Sequence, residues 1–139
     1  MATEGPLFRD GSQCTAFANY YNPGSALLGV NGSAQFLVMS IQAARVVQIA
    51  PSKASIPYGI LQNTPMAGEA ADIGIMGVSK AVAGAAITAG QEVTAGTGGT
   101  LGQVIPWVTS GYKIGMAIEA ASAQGVVFTI WLYSGGIIL

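Results

Sequence analysis

The clearest pattern lies near the C-terminal end. In YKIGMAIEAA, residues 112–121, Ile114, Met116, Ile118 and Ala120 fall on one side of an extended chain, and Lys113, Gly115, Ala117 and Glu119 on the other. A period of two predicts a half-buried strand. VVFTIWLY, residues 126–133, repeats it with Val126, Phe128, Ile130 and Leu132 on one face. Four residues, SAQG, separate the two runs and end in glycine, so the pair reads as a hairpin. Further upstream, FLVMSI (36–41) and ARVVQIA (44–50) are rich in branched and aromatic residues and predict two more strands, with PSKASIPY (51–58) as a connection. GILQN (59–63) predicts a short extended piece, and TPMAGE a turn with Pro65 and Gly68 at its corners. ADIGIMGV (71–78) alternates again, with Ile73 and Ile75 opposite Asp72, Gly74 and Met76. The alanines of AVAGAAITAGQEV suggest a helix, but Gly84, Gly90 and the branched residues oppose it, so short strands are expected at 78–83 and 91–94. The sum is an all-β chain: a small β-sandwich or barrel-like domain of short antiparallel strands.

Residues 1–34 behave differently. Pro6, Gly11, Pro23, Gly24, Gly29 and Gly32 interrupt every candidate helix, and no period persists. Leu7, Phe8, Phe17, Tyr20, Tyr21, Leu27 and Leu28 nevertheless favour burial. The expected organisation is an irregular N-terminal arm, 1–34, and a β-rich domain, 35–139. Two readings of the arm stand: it packs on its own domain, or it is ordered mainly by another subunit, with Phe8, Phe17, Tyr20, Tyr21, Leu27 and Leu28 as the contact residues.

Composition sharpens this picture. The 139 residues suffice for one domain with a modest core. Half the chain is hydrophobic, 51%, yet only 8% is charged, against about 25% in an ordinary soluble domain. Much of the apolar content is small, and no run reaches the 18 or so apolar residues of a spanning helix. MATEGPLFRDGSQ lacks the basic-then-apolar order of a secretory signal, so synthesis and retention in the cytoplasm are expected. A single cysteine, Cys14, excludes an internal disulfide framework. With a net charge of −1 there is no basic patch for nucleic acid. So few charges leave two possibilities: neutral polar residues solvate the surface, or an assembly covers much of it, since interface cores are depleted of charge. The second is the stronger expectation.

Candidate chemistry is sparse. The absence of histidine removes the commonest general base, the usual triads and most zinc sites. Cys14 has no histidine to activate it. Glu69 and Asp72 are three apart, but on a turn entering a strand they read as solvated carboxylates, and Glu92 and Glu119 each stand alone in a predicted strand, facing solvent or a neighbouring chain. TAGTGGTLG (94–102) has glycines but no Lys-Ser/Thr and no following helix, so it is a hairpin loop rather than a phosphate cradle. Lys80 lies inside a strand rather than at a hairpin tip, where a biotinyl or lipoyl carrier needs its lysine. Trp107, Trp131 and the tyrosines are not interleaved with basic residues, which opposes a nucleic-acid stacking platform. No catalytic residue, cofactor or metal ligand is expected.

Three segments in order, GILQNTPMAGEAADIGIMG (59–77), AAITAGQEVTAGTGGTLGQV (85–104) and YKIGMAIEAASAQGVVFTIWLY (112–133), resemble the small capsid cement, or head decoration, proteins of tailed bacteriophages. The resemblance spans residues 41–133, about two thirds of the chain, and leaves 1–34 unmatched. It implies a non-enzymatic module on the outer surface of the mature virion head, made in the host cytoplasm. Its implied partners are the major capsid protein and itself, as a homotrimer stapling neighbouring capsid subunits, without nucleic acid or membrane. Residues 59–77 would then be scaffold and interface. The competing reading is an oligomeric β-rich ligand-binding module, for example for a sugar, whose site would gather polar groups around an aromatic ring.

Overall fold

A computed structural model describes residues 7–9, 14–16, 34–43, 46–65 and 70–138. Among them no α-helix occurs. The strands are β1 Leu7–Arg9, β2 Cys14–Ala16, β3 Val38–Ala43, β4 Val46–Ile49, β5 Gly59–Leu61, β6 Ala70–Ala71, β7 Ile73–Val82, β8 Glu92–Ala95, β9 Val104–Pro106, β10 Tyr112–Ala117 and β11 Val127–Ile138. They form one sheet in the order β6-β2-β4-β3-β5-β7-β11-β10-β8-β9, with β1 paired to β7. Pairing is antiparallel except between β2 and β4. The sheet curls so that its β9 end returns toward β3 and β7. Ala83 bridges Val104, the Gly84 amide donates to the Val104 carbonyl at 2.7 Å, and the Val38 amide donates to the Gly102 carbonyl at 2.7 Å. The all-β, barrel-like expectation therefore holds.

Gly102 makes that return possible. Its φ of +74° is costly for any residue with a Cβ, and a Cβ there would stand 2.6 Å from Ile49 Cγ2 and 3.1 Å from Leu37 Cβ. The strand expected at 78–83 is not separate; it is the second half of β7. The C-terminal hairpin forms, but SAQG is not its tip. Pairing of β10 with β11 ends at Ala117 opposite Ile130 and at the Ile118 amide bonding the Thr129 carbonyl, 3.0 Å. The connection then detours: Ala121 exchanges two hydrogen bonds of 2.9 Å with Ile87, and the Gly125 amide reaches the Ala83 carbonyl at 2.8 Å. The turn thus delivers β11 onto β7, Val127 opposite Val82.

Two buried clusters occupy opposite sides of the same strands. Val38, Ile60, Ala81, Val93, Ala117, Phe128, Ile130 and Leu132 belong to the inner one. Leu37, Met39, Val47, Ile49, Leu61, Ile73 and Val82 belong to the second. Neighbouring residues split between them, Val38 from Met39, Ile60 from Leu61 and Ala81 from Val82. Side chains alternate across a strand, so β5, the start of β3 and the end of β7 are covered on both faces, while Ile41 further along β3 is 49% exposed. β11 is covered on one: Phe128, Ile130 and Leu132 are buried while Val127 and Trp131 are exposed.

The described N-terminal strands follow a single track. Leu7 lies opposite Gly77, Phe8 opposite Met76 and Arg9 opposite Gly74, after which Cys14 lies opposite Ala71 and Thr15 opposite Ala70. Residues 7–9 and 14–15 thus run antiparallel along 70–77, and β2 also pairs with β4. The second half of residues 59–77 is thus the edge along which the N-terminal strands pair.

Candidate functional site

On the outer side of β11, β10 and β8 no second cluster is built from the described residues. Cross-strand register puts Trp131 beside Met116 and Met116 beside Glu92, and the Trp107 amide donates to the Glu92 carbonyl at 2.8 Å. Register partners share a face, so Trp131, Met116, Glu92 and Trp107 form a row across the sheet. Trp131 is 47% exposed and Ile118, opposite Thr129, 49%. Trp131 meets Tyr133 edge-on, with ring centroids 5.4 Å apart and planes at 86°, a favourable aromatic geometry.

A bulge sets which side chains join this row. The β10–β11 register shifts between Lys113 and Gly115. Between those pairs β10 has one residue, 114, and β11 has four, 133–136, and such an irregularity re-aims the side chains beyond it. Gly115, opposite Val93 and Leu132, is on the inner side, and a Cβ on it would strike the Trp131 carbonyl. Past the shift Ile114 also turns inward, joining Ala117 in the core, and Lys113 turns outward toward Glu92. The expected common face of Ile114, Met116, Ile118 and Ala120 is therefore split: Ile114 is 3% exposed, and Ile118 faces out.

Lys113 and Glu92 form an ion pair of 2.7 Å, with the lysine side chain 11% and the glutamate 38% exposed. The ammonium also sits 4.2 Å from the Trp107 ring centre, a cation–π contact. Trp107 Nε1 donates to the Gly111 carbonyl at 3.1 Å, and the Tyr133 hydroxyl donates to the second Glu92 oxygen at 3.2 Å. The hydrogen bond from Lys113 holds the Glu92 carboxyl below its usual range; the lysine charge and the Tyr133 hydroxyl add to this, against partial burial. Burial first, then the nearby carboxylate, pushes the Tyr133 hydroxyl up. Glu92 is thus not the lone carboxylate the sequence suggests. Its partner is 21 residues away, on a strand whose phase only the bulge reveals.

Other sequence candidates fall elsewhere. Phe8 lies in β1, and only its backbone pairing is described; Phe17, Tyr20, Tyr21, Leu27 and Leu28 lie outside the described residues, as does Glu69. Asp72 sits between β6 and β7, its amide bonded to the Asn63 side chain at 3.0 Å. Lys80 is exposed in mid-strand, and the loop of TAGTGGTLG contains a short 3₁₀ turn at Gly98–Thr100 followed by β9. A separate open hollow of about 440 Å³ lies beside β3 and β4, walled by Ile41, Gln48, Pro51, Ile56, Pro57 and Tyr58. Among the described residues no group of acidic, cysteine or histidine side chains could hold a metal ion, and no helix is long and apolar enough to cross a membrane.

Residues 34–132 match the family model described as phage cement protein. The chain belongs to the phage cement protein family. This is a family of structural proteins of the phage head, and its matched span holds the whole row from Glu92 to Trp131 and stops just short of Tyr133. In fold, the cement chain is similar to the crystal structure titled head fiber gp8.5 N base in bacteriophage phi29, with 15% identity, a TM-score of 0.56, and coverage of 95% of this chain and 97% of that one. No curated protein matches the sequence.

Proposed function

We propose that this cement protein coats the outer surface of the mature head and, as a homotrimer, staples neighbouring major capsid subunits. The family match carries the reading. The uncovered face with Trp131, Ile118 and Val127 is the proposed contact surface. Tryptophan is over-represented at binding hot spots, and the charges beside it, Glu92 and Lys113, already neutralise each other. In this reading residues 1–34 are an arm appended to a 35–139 domain, and Phe8, Phe17, Tyr20, Tyr21, Leu27 and Leu28 add contacts to the shell or a neighbouring subunit. No reaction is required: a ligand that binds one state of the shell stabilises that state by mass action. Cosedimentation with expanded shells, unexpanded shells and no shells tests it. Pelleting only with expanded shells is expected; pelleting with neither kind of shell would defeat the reading.

A second reading, an oligomeric sugar-binding module, is favoured by one observation: the Glu92 carboxylate, the Tyr133 hydroxyl and the Lys113 ammonium converge beside Trp107 and the exposed Trp131. Quenching of tryptophan fluorescence by a panel of oligosaccharides, abolished in Trp131→Ala, would favour it over the capsid reading.

A further inference from the structure

We propose that β1 and β2, residues 7–9 and 14–16, form an exchangeable element, and that the 70–77 edge of one copy accepts it from a second copy of the chain. Three features point there. The element docks through backbone pairing in two stretches, Leu7–Arg9 along Gly77–Gly74 and Cys14–Thr15 along Ala71–Ala70, with β2 also pairing β4. Every pairing available to it within one chain is therefore available, unchanged, between two. Its tether back to the domain is long: seventeen residues, 17–33, separate Ala16 from the buried Ala34. Fully extended, that length reaches about 55 Å, far enough to serve a neighbour.

With the same contacts in either arrangement, the balance is set by concentration. A covalent tether holds its own element at an effective concentration on the order of millimolar. In dilute solution the element therefore stays home, and exchange becomes competitive when copies are crowded to a comparable density. An array on a head surface supplies that density, and this step rests on the capsid reading above. An exchanged strand is a low-cost route to association because it creates no new interface. It would tie subunits mechanically, since pulling them apart means stripping strands out of a sheet.

The native Cys14 provides the test. Its backbone lies opposite Ala71 in register, and antiparallel partners lie at Cα separations of about 4.5–5.5 Å, inside the range a disulfide spans. Wild-type chain, which carries Cys14 alone, is mixed with a mass-tagged Cys14→Ser/Ala71→Cys chain. Neither can form the 14–71 disulfide within itself. The mixture is refolded at micromolar and at millimolar concentration, and a third sample is bound to expanded shells; all are oxidised with copper phenanthroline and read on non-reducing gels, with pelleting scored for the shell sample. A mixed dimer dominating at millimolar concentration and on shells, and scarce at micromolar, is the expected result. No mixed dimer in either crowded sample overturns the proposal. A mixed dimer at millimolar concentration with no pelleting on shells upholds exchange and defeats the capsid reading instead. Should the buried Ala71→Cys chain fail to fold, Phe8→Cys and Met76→Cys chains, each in a Cys14→Ser background, repeat the test at a second register pair.

Discussion

Met39 and Met116 sit on the same side of one sheet and live in different surroundings. Met39, in β3, is fully buried beneath the second cluster with Leu37, Ile49 and Leu61. Met116, in β10, is half-buried between the exposed Trp131 and the Glu92 ion pair. The β3–β5–β7 half carries the fold on both faces; the β11–β10–β8 half carries it on the inner face alone and leaves an aromatic surface outside. An uncovered apolar sheet face in a chain with so few charges is what a protein needs when its partner completes the burial.

Truncating each methionine gives the largest contrast. Met39→Ala should cost about 2–5 kcal/mol, as buried methionines do when the site cannot collapse, while Met116→Ala should cost no more than about 1 kcal/mol. Chemical denaturation of both variants measures this, and equal losses would erase the distinction between the halves. Gly102→Ala acts where the two ends of the curl meet. The left-handed backbone and the crowding by Leu37 and Ile49 should together cost about 2–4 kcal/mol in the same experiment.

Acid provides the gentlest probe of the open half. Glu92 has a folded-state pKa below its ordinary 4.5, first because of the Lys113 hydrogen bond. Its contribution to stability is then complete above that unfolded value and fades as pH falls through the lower folded one. The melting-temperature gap between wild type and Glu92→Gln should be widest at neutral pH and narrow below 4.5. The gap should be small throughout, because the carboxylate is partly open to solvent, and a gap that grew on acidification would contradict the assignment of Lys113 as its partner.

The sequence reveals β11 plainly because one face of it is wet: Phe128, Ile130 and Leu132 alternate against Thr129 and Trp131. β3 and β5 are readable as strands from their branched residues, but their double coverage depends on segments far away in the chain, such as Val82 and Leu101. The reversal in β10 is hidden, since Gly115 is required by the Trp131 carbonyl across the strand pair rather than by anything in YKIGMAIEAA. β1 and β2 have no periodicity of their own; they take their register from residues 70–77. The Glu92–Lys113–Trp107 contact is equally hidden: it joins β8, β10 and the residue after β9 across a register shift.

The open face as capsid contact is the central claim, and Trp131→Ala tests it most directly. The ring is 47% exposed and lies outside both buried clusters, so its loss should leave thermal unfolding nearly unchanged. Hot-spot residues are worth about 2 kcal/mol or more in binding, so the variant's apparent affinity for expanded shells, measured by quantitative cosedimentation, should fall at least about thirty-fold. A well-folded Trp131→Ala protein that binds expanded shells as tightly as wild type would show that the shell is met by another surface.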